Sequence, residues 1–303
     1  MSNFVGKISY AEFVRLSPME CCEKVFRHNV LVIDASDKNL DDFRNLMAKL
    51  GEPVHHVLEN LCVPGHREVL KISNLYRKGI PVGVHEGGAY WHTDMSYSSR
   101  NTVFTALFAS RVPAIGGSTE FIDCAAGWQQ ICESLPQRGI DIKPEQLAGL
   151  QVEHVFGNRA RQQYLQANEQ LLTGQQRASL PDCVRHPLVL RHPYLGIPCV
   201  YAVAATSVGV DGMPRDESLR ILDILFNSLV AEAPRYEHTY MPGDIVIWDN
   251  LSTLHRGPDI PATEDENDCR LLYRINVDYS GVLPLALPQE APIAETSESA
   301  AIT

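Results

Sequence analysis

Hydrophobic residues recur every three or four positions in several stretches, a spacing typical of helices with one buried face. The clearest stretch is residues 216–230, whose apolar stripe consists of Leu219, Leu222, Leu225, Phe226 and Leu229. Weaker stripes predict helices over residues 40–50 and 124–135, each followed by a glycine or proline that can end a helix. Residues 17–20, Ser-Pro-Met-Glu, form a capping box that opens a further short helix.

Short apolar runs rich in β-branched residues predict buried strands in both halves of the chain. These runs are residues 29–34, 102–110, 116–122, 188–190, 199–204, 241–250 and 270–279, of which 116–122 and 241–250 begin with a turn. The predicted fold class is therefore mainly β with flanking helices, in a single domain over residues 1–284. Residues 285–303 are rich in Ala, Ser, Pro and Glu, and we predict a disordered tail there.

Two stretches carry weaker signals. Residues 137–185 are polar with little periodicity, and we place no chemistry there. Residues 78–90 hold several glycines, and we interpret them as a mobile loop leading into a strand around His92. Long loops of this kind often act as lids, and an ordinary exposed connection is the alternative.

The composition indicates an ordinary globular protein without a nucleic-acid or membrane partner. The 303 residues are 45% hydrophobic and carry a formal net charge of −11, whereas sequence-independent nucleic-acid binding needs a basic face. No apolar run approaches the length of a membrane span, and residues 1–7 lack the features of a signal peptide. The eight cysteines are scattered, which suits reduced thiols. We therefore expect a soluble, cytoplasmic protein.

The first candidate for chemistry is the stretch Tyr-Trp-His-Thr-Asp-Met at residues 90–95. His92 and Asp94 are two residues apart, and in an extended segment their side chains point to the same face. An imidazole and a carboxylate so placed can bind a metal ion together. The pair alone is a weak signal, because a solvated histidine and aspartate beside a half-buried Trp91 explain it equally well.

Residues far downstream complete a metal-binding pattern. His255 follows the predicted strand at 241–250, and Arg270 and Arg274 share one face of the next predicted strand. Two histidines and one carboxylate leave three coordination positions open, which is the arrangement of non-haem Fe(II) oxygenases. An arginine keeps its charge, so one in an apolar strand needs an anionic partner, and the distal carboxylate of a 2-oxo acid is suitable.

In this order the motifs resemble those of the taurine dioxygenase and 2,4-dichlorophenoxyacetate dioxygenase (TauD/TfdA) family of Fe(II)/2-oxoglutarate oxygenases. The resemblance is carried by residues 91–94 (WHTD), 116–121 (GGSTEF), 248–250 (WDN) with His255, and 270–274 (RLLYR). The motifs extend over most of the chain, from about residue 30 to residue 280. Each motif is modest by itself, and their combination is specific.

The resemblance implies a double-stranded β-helix, or jelly roll, with iron at its mouth. It implies that His92, Asp94 and His255 are the metal ligands. Asp249 and Asn250 are then expected to brace the loop that holds His255. Because related halogenases replace the carboxylate ligand with a small residue, the presence of Asp94 disfavours halogenation.

The resemblance also implies a binding site for 2-oxoglutarate. The family's anchors correspond to Thr119 and Arg274, with Arg270 near the other carboxylate. The loop before Arg270 is longer than usual, so the choice of the arginine that makes the main salt bridge is left open. Trp248 is expected to line the same pocket, with a place in the hydrophobic core as the alternative.

The implied function is that of an Fe(II)- and 2-oxoglutarate-dependent dioxygenase. Such an enzyme uses O2 to hydroxylate or desaturate a small carboxylate-bearing molecule and releases succinate and CO2. The alternatives are a non-catalytic jelly-roll protein and a metal-dependent enzyme that needs no 2-oxoglutarate. Arg274 favours the oxygenase, because the alternatives have no use for a 2-oxoglutarate anchor.

The identity of the primary substrate stays open. Family members that act on taurine have an asparagine shortly before the His-x-Asp pair, and this chain has Gly-Gly-Ala at residues 87–89, so taurine is disfavoured. The candidate pocket residues are His55, His56, Tyr90, Tyr97 and Arg100. An amino acid, an aryl acid or a carrier-tethered intermediate fits such a lining, and a homo-oligomer is a further open alternative.

Overall fold

Strands are the main elements of the computed structural model, which describes residues 4–85, 88–98, 102–156, 172–257 and 259–278. The strands are β1 Val5–Ser9, β2 Val30–Asp34, β3 Glu52–Pro53, β4 Cys62–Val63, β5 His66–Ser73, β6 Tyr76–Arg77, β7 Ile80–Pro81, β8 Thr102–Arg111, β9 Thr119–Asp123, β10 Gln151–His154, β11 Val184–Pro187, β12 Val189–Arg191, β13 Pro198–Val200, β14 Ser207–Val210, β15 Arg235–His238, β16 Asp244–Asp249, β17 Thr253–Arg256 and β18 Leu271–Asp278. The helices are Tyr10–Arg15, Pro18–His28, Leu40–Met47, Cys124–Ile131, Pro144–Leu147, Gly174–Ala178 and Arg215–Glu232.

The larger sheet has the strand order β1-β2-β16-β8-β18-β5-β4, and β3 also pairs with β18. Its neighbours are antiparallel except β1 and β2, which run parallel. The central strand β8 is buried over its first eight residues. A strand covered on both faces has no need of polar alternation, which explains why residues 102–109 are almost continuously apolar.

A smaller antiparallel sheet has β9 at its centre, between β15 and β17. A buried cluster joins it to the larger sheet, and this cluster contains Phe121 of β9 together with Val246, Trp248 and Leu272. The two sheets therefore pack face to face, which is the sandwich arrangement that a jelly roll requires.

Helices cover the outer faces of both sheets. Phe13, Phe26 and Phe43, from the three N-terminal helices, belong to one buried cluster with residues of the larger sheet. Cys124–Ile131 and Arg215–Glu232 pack over the smaller sheet in a second cluster. The amphipathic stripe predicted for residues 216–230 is confirmed as core packing, because its leucines at 222, 225 and 229 are fully buried.

Several local predictions are confirmed in detail. The capping box is present, since the backbone N–H of Ser17 donates to the Glu20 carboxylate at 2.7 Å and that of Glu20 donates to the Ser17 hydroxyl at 3.3 Å. The strand predicted at 241–250 begins at Asp244 after a turn at Gly243. Gly243 has a φ of 90°, and a Cβ there would lie 2.3 Å from the Ser36 backbone, so the turn requires glycine.

Other elements differ from the prediction. The helix predicted over 40–50 ends at Met47, and the strand predicted over 199–204 ends at Val200. The strand is short because Ala202 adopts a φ of 49°, which interrupts an extended chain. The stretch 78–90 is partly a hairpin, in which β6 pairs with β7. The weakly periodic stretch 137–185 contains β10 and the first two residues of β11, with which β10 pairs.

The longest described helix, Arg215–Glu232, has 18 residues, and no helix in the described ranges is long and apolar enough to cross a membrane. The predicted tail, residues 285–303, lies outside the described residues. The boundary of a single domain at residue 284 stays a prediction.

Candidate metal centre and its cavity

A two-residue β-bridge brings the predicted histidines together. The backbone N–H of His92 donates to the His255 carbonyl at 3.0 Å, and the N–H of His255 donates to the His92 carbonyl at 2.9 Å. The ring centroids are 4.2 Å apart. The strand predicted around His92 is reduced to this single bridge, since the chain turns immediately afterwards and Met95 has a φ of 58°.

The turn after His92 places Asp94 between the two imidazoles. Its carboxylate oxygens lie 3.6 Å from Nε2 of His92 and 3.5 Å from Nε2 of His255. One ligand atom from each of the three residues lies within 4.8 Å of the others. The chain therefore brings together all three predicted metal ligands, although His255 lies more than 150 positions from the other two.

The hydrogen bonds around these three residues fit an Fe(II) ion. Nδ1 of His92 lies 2.8 Å from the Tyr90 carbonyl oxygen, so this nitrogen donates and Nε2 keeps a free lone pair. Oδ1 of Asp94 accepts from Arg274, whereas the buried Oδ2 has no partner among the described residues. Two imidazole nitrogens and a carboxylate oxygen form the donor set that non-haem Fe(II) sites use.

The electrostatics agree with metal binding. Burial raises the pKa of Asp94, but Arg274 and the two imidazoles outweigh it and hold the pKa well below its ordinary value. Burial, followed by the neighbouring His92, lowers the pKa of His255 well below its ordinary value. The site thus presents an ionised carboxylate and a neutral imidazole, which are the forms that bind metal.

Asp249 braces the turn between β16 and β17, as predicted. Its carboxylate accepts from the backbone N–H of Leu251 at 2.9 Å and from the Ser252 hydroxyl. It also lies 2.9 Å from Nε2 of His192, whose Nδ1 accepts from two backbone N–H groups. His192 therefore donates through Nε2. Sequence reasoning missed His192, because no spacing links it to a partner 57 residues away.

Asn250 and Trp248 are held next to the same turn. The Trp248 indole N–H donates to the Asn250 side chain at 3.0 Å, and Asn250 donates to the Thr105 hydroxyl at 2.7 Å. Trp248 is fully buried in the cluster between the sheets, and its ring lies 4.6 Å from that of His255. Trp248 also lines the cavity, so it lies both in the hydrophobic core and at the cavity wall.

Arg270 lies beside Thr119, deep between the sheets. Its Nε donates to the Gly117 carbonyl at 3.0 Å and its Nη2 to the Thr119 hydroxyl at 3.3 Å. Arg270 is only 7% exposed, and burial lowers its pKa. No carboxylate of the described residues forms an ion pair with it, so a buried cation lacks a counter-charge.

Arg274 has a different partner. Its Nη1 donates to Oδ1 of Asp94 at 3.0 Å, and its Nε has no hydrogen-bond partner among the described residues. Arg274 sits in β18 between Leu70 of β5 and Leu107 of β8. The two arginines thus face separate groups, one the metal centre and the other Thr119.

A cavity of about 120 Å³ connects these groups. Besides the metal ligands, Trp248, Thr119 and the two arginines, its walls include His56, Leu58, Val84, Tyr90, Tyr97 and Phe156. Among the predicted pocket residues, His56, Tyr90 and Tyr97 are present, His55 is exposed elsewhere, and Arg100 lies outside the described residues.

Two cavity residues refine the sequence prediction. Nδ1 of His56 accepts from the Leu58 backbone N–H at 3.0 Å, and burial with the nearby Arg274 lowers the His56 pKa to about 3. The ring is therefore neutral and carries its proton on Nε2. Phe156 lies in the stretch where no chemistry was predicted, and its weak periodicity offered no signal for a cavity residue.

The fold and the site define a jelly-roll protein with a group of two histidines and one carboxylate that could hold a metal ion. The family model "Taurine catabolism dioxygenase TauD, TfdA family" matches residues 6–276, and the chain belongs to this family. Its members are Fe(II)- and 2-oxoglutarate-dependent dioxygenases, which are oxidoreductases. The predicted family is therefore confirmed, and the predicted enzyme class and cofactors are those of its members.

Curated relatives agree with this membership. Pentalenolactone F synthase from Streptomyces arenae is 31% identical over 199 residues, which are 63% of this chain and 64% of that protein. The alpha-ketoglutarate-dependent 2,4-dichlorophenoxyacetate dioxygenase of Cupriavidus pinatubonensis is 32% identical over 167 residues, 55% of this chain and 53% of that one. Both alignments span less than two thirds of the relative's own length.

Solved structures confirm the predicted fold. A taurine dioxygenase from Burkholderia xenovorans superposes with a TM-score of 0.62 at 22% identity, over 90% of this chain and 87% of that one. AAD-2, solved in complex with Mn(II) and N-oxalylglycine, superposes with a TM-score of 0.63 at 21% identity, over 91% of this chain and 94% of that one.

Proposed function

We propose that this protein oxidises a small carboxylate-bearing molecule, by hydroxylation or desaturation, at the centre formed by His92, Asp94 and His255. The observation that carries the proposal is Arg270, a buried cation without a carboxylate partner that lines the same cavity as the metal centre. A buried unpaired charge is costly, so the site is built for an anion. A metal site that did not use 2-oxoglutarate would have no need of it.

The chemistry divides between the metal and the protein. Fe(II), when bound, supplies the activation of O2 that is coupled to decarboxylation of 2-oxoglutarate into succinate and CO2. The chain's own residues supply position and charge. The unpartnered Oδ2 of Asp94 and the free Nε2 of His92 are available to hold the ion, and the apolar walls exclude water.

We assign the distal carboxylate of 2-oxoglutarate to Arg270 and Thr119. Arg270 carries a full charge at the buried end of the cavity, and Thr119 adds a hydroxyl 3.3 Å from it. A guanidinium and a hydroxyl together suit a planar carboxylate. Arg274 is less suitable, since Asp94 already neutralises it. Of the two arginines that the sequence left open, we therefore propose Arg270 for the main salt bridge.

We assign the substrate carboxylate to the part of the cavity near Arg274 and His56. Nε of Arg274 is buried without a partner, and the Nε2 proton of His56 is available as a second donor. The walls beyond them, Leu58, Val84 and Phe156, are apolar. Among the predicted substrates an aryl or other apolar acid fits these walls best, in line with the aryloxy acid in the name of one relative.

The cellular setting is also a proposal. All eight cysteines are unpaired, which supports the predicted cytoplasmic location. A homo-oligomer stays a prediction, and gel filtration of the purified protein tests it.

A succinate-release screen tests the function. The protein is incubated with Fe(II), 2-oxoglutarate and ascorbate against panels of aryloxy and alkyl acids, amino acids, sulfonates and carrier-tethered acids. We expect succinate release above the substrate-free rate with at least one apolar acid, and none in Asp94→Ala. Absence of 2-oxoglutarate binding by the wild-type protein, together with no succinate release in any panel, would contradict the proposal.

A further inference from the structure

A tyrosine lies directly behind the proposed carboxylate anchor. The hydroxyl of Tyr240 is 2.9 Å from the Thr119 hydroxyl, on the side away from the cavity, which Thr119 lines and Tyr240 does not. Tyr240 is 5% exposed, and its ring packs edge-on against His238 with centroids 4.6 Å apart. The phenol is thus held in place beside Thr119.

The hydroxyl of Thr119 has a limited number of hydrogen-bonding positions. A threonine hydroxyl has one proton to donate and two lone pairs that accept. Arg270 can only donate, so its Nη2 occupies one lone pair of the Thr119 oxygen at 3.3 Å. The direction of the bond to Tyr240 then decides what Thr119 can offer to a ligand.

The Tyr240 hydroxyl is expected to be the donor in its hydrogen bond to Thr119. Thr119 is the sole hydrogen-bond partner of its hydroxyl among the described residues, and a buried O–H without an acceptor is costly. Burial raises the pKa of Tyr240 to about 12, so the phenol keeps its proton. With both lone pairs of Thr119 occupied, the Thr119 proton points away from Arg270 and Tyr240, toward the cavity.

We infer that Tyr240 is a positioning residue for the co-substrate: it donates to Thr119 and so directs the Thr119 proton at the distal carboxylate of 2-oxoglutarate. The inference rests on the proposed function. Without the phenol, Thr119 is free to rotate its proton elsewhere, and the carboxylate loses a pre-oriented donor. Hydrogen bonds to charged groups are stronger than those between neutral groups, so the effect on binding is measurable.

The test is a binding titration that needs no primary substrate. The Mn(II)-loaded wild-type protein and its variants are titrated with 2-oxoglutarate by calorimetry. We expect Tyr240→Phe to weaken binding about tenfold and Thr119→Val about thirtyfold. The double variant should resemble Thr119→Val, because Tyr240 acts through Thr119. Binding of pyruvate, which has no distal carboxylate, should be unchanged in Tyr240→Phe.

Tyr236→Phe is the matched control. This substitution removes a tyrosine hydroxyl that bonds His238 and not Thr119. We therefore expect 2-oxoglutarate binding to stay within about twofold of the wild-type value. Unchanged binding in Tyr240→Phe, or losses that add fully in the double variant, would overturn the inference and leave the proposed function standing. A wild-type protein that binds no 2-oxoglutarate would overturn both.

Discussion

Arg270 and Arg274 lie four residues apart and project into the same cavity, yet their surroundings differ. Arg274 has a carboxylate partner, Asp94, at 3.0 Å, whereas Arg270 contacts a carbonyl and a hydroxyl, neither of which is charged. An arginine paired within the protein belongs to the architecture of the metal centre. An arginine buried without a counter-charge needs a ligand. In the proposed function, this difference separates a residue that supports the metal from one that binds the co-substrate.

Removal of a metal ligand should have the largest effect, because the proposed oxidation needs the metal. We expect His92→Ala or His255→Ala to lose stoichiometric Fe(II) binding and to abolish turnover. Anaerobic metal titration with an iron chelator as competitor measures the affinity. Undiminished affinity in both variants would show that the metal is elsewhere.

Loss of Arg270 should be the next largest effect. Truncating one partner of a buried charge pair costs about 2–5 kcal/mol, so Arg270→Ala should raise the KM for 2-oxoglutarate at least about a hundredfold. Its metal affinity should stay within about twofold, since Arg270 contacts none of the ligands. Steady-state kinetics and metal titration are compared in the same preparation. An equal loss of both affinities would make Arg270 a general structural residue.

Loss of Arg274 should give the opposite pattern. It contacts the ligand Asp94 at 3.0 Å, and removal of such an outer partner typically costs about 10–100-fold in metal affinity or activity. We expect Arg274→Ala to weaken Mn(II) binding in that range and to raise the KM of the acid found in the screen. Metal affinity equal to that of the wild type would mean that the Asp94–Arg274 pair is unimportant for the centre.

The acidic loop at residues 264–268 should have the smallest effect. Glu266 pairs with Arg77 and Arg111 at the surface, away from both cavity arginines. Exposed ion pairs contribute little, so replacing the loop's four carboxylates by amides should change the 2-oxoglutarate KM by less than about twofold. A larger rise would place the loop at the co-substrate site.

The group of His92, Asp94 and His255 was predictable because these residues lie in short motifs whose residue types suit metal binding. His92 and Asp94 are close in sequence, and the WDN motif at residues 248–250 marks the turn that precedes His255. The strands β2, β8 and β18 were predictable for a similar reason, since apolar runs of that length are buried. The strand around His92 was not, because a single bridge from a loop residue to β17 leaves no periodic pattern.

The roles of the two arginines were beyond the sequence. The sequence predicts both on one face of a strand, whereas β18 begins at Leu271, after Arg270. Only the tertiary structure shows which arginine meets Asp94 and which meets Thr119. His192 and Tyr240 were missed for the same reason, as each bonds a partner distant in sequence. Phe156 was missed because it lies in a stretch with weak periodicity. Contacts between residues that lie 50 to 180 positions apart in the sequence are set by the topology of the fold and not by local composition.

The most direct test of the central claim is an anaerobic titration of the Fe(II)-loaded wild-type protein, Arg270→Ala and Arg274→Ala with 2-oxoglutarate. The readout is the weak visible charge-transfer band of the complex, and pyruvate serves as the ligand without a distal carboxylate. We predict at least about a hundredfold weaker 2-oxoglutarate binding in Arg270→Ala, less than about tenfold in Arg274→Ala, and unchanged pyruvate binding in Arg270→Ala. A larger loss of 2-oxoglutarate binding in Arg274→Ala, or equal losses for 2-oxoglutarate and pyruvate in Arg270→Ala, would contradict the account.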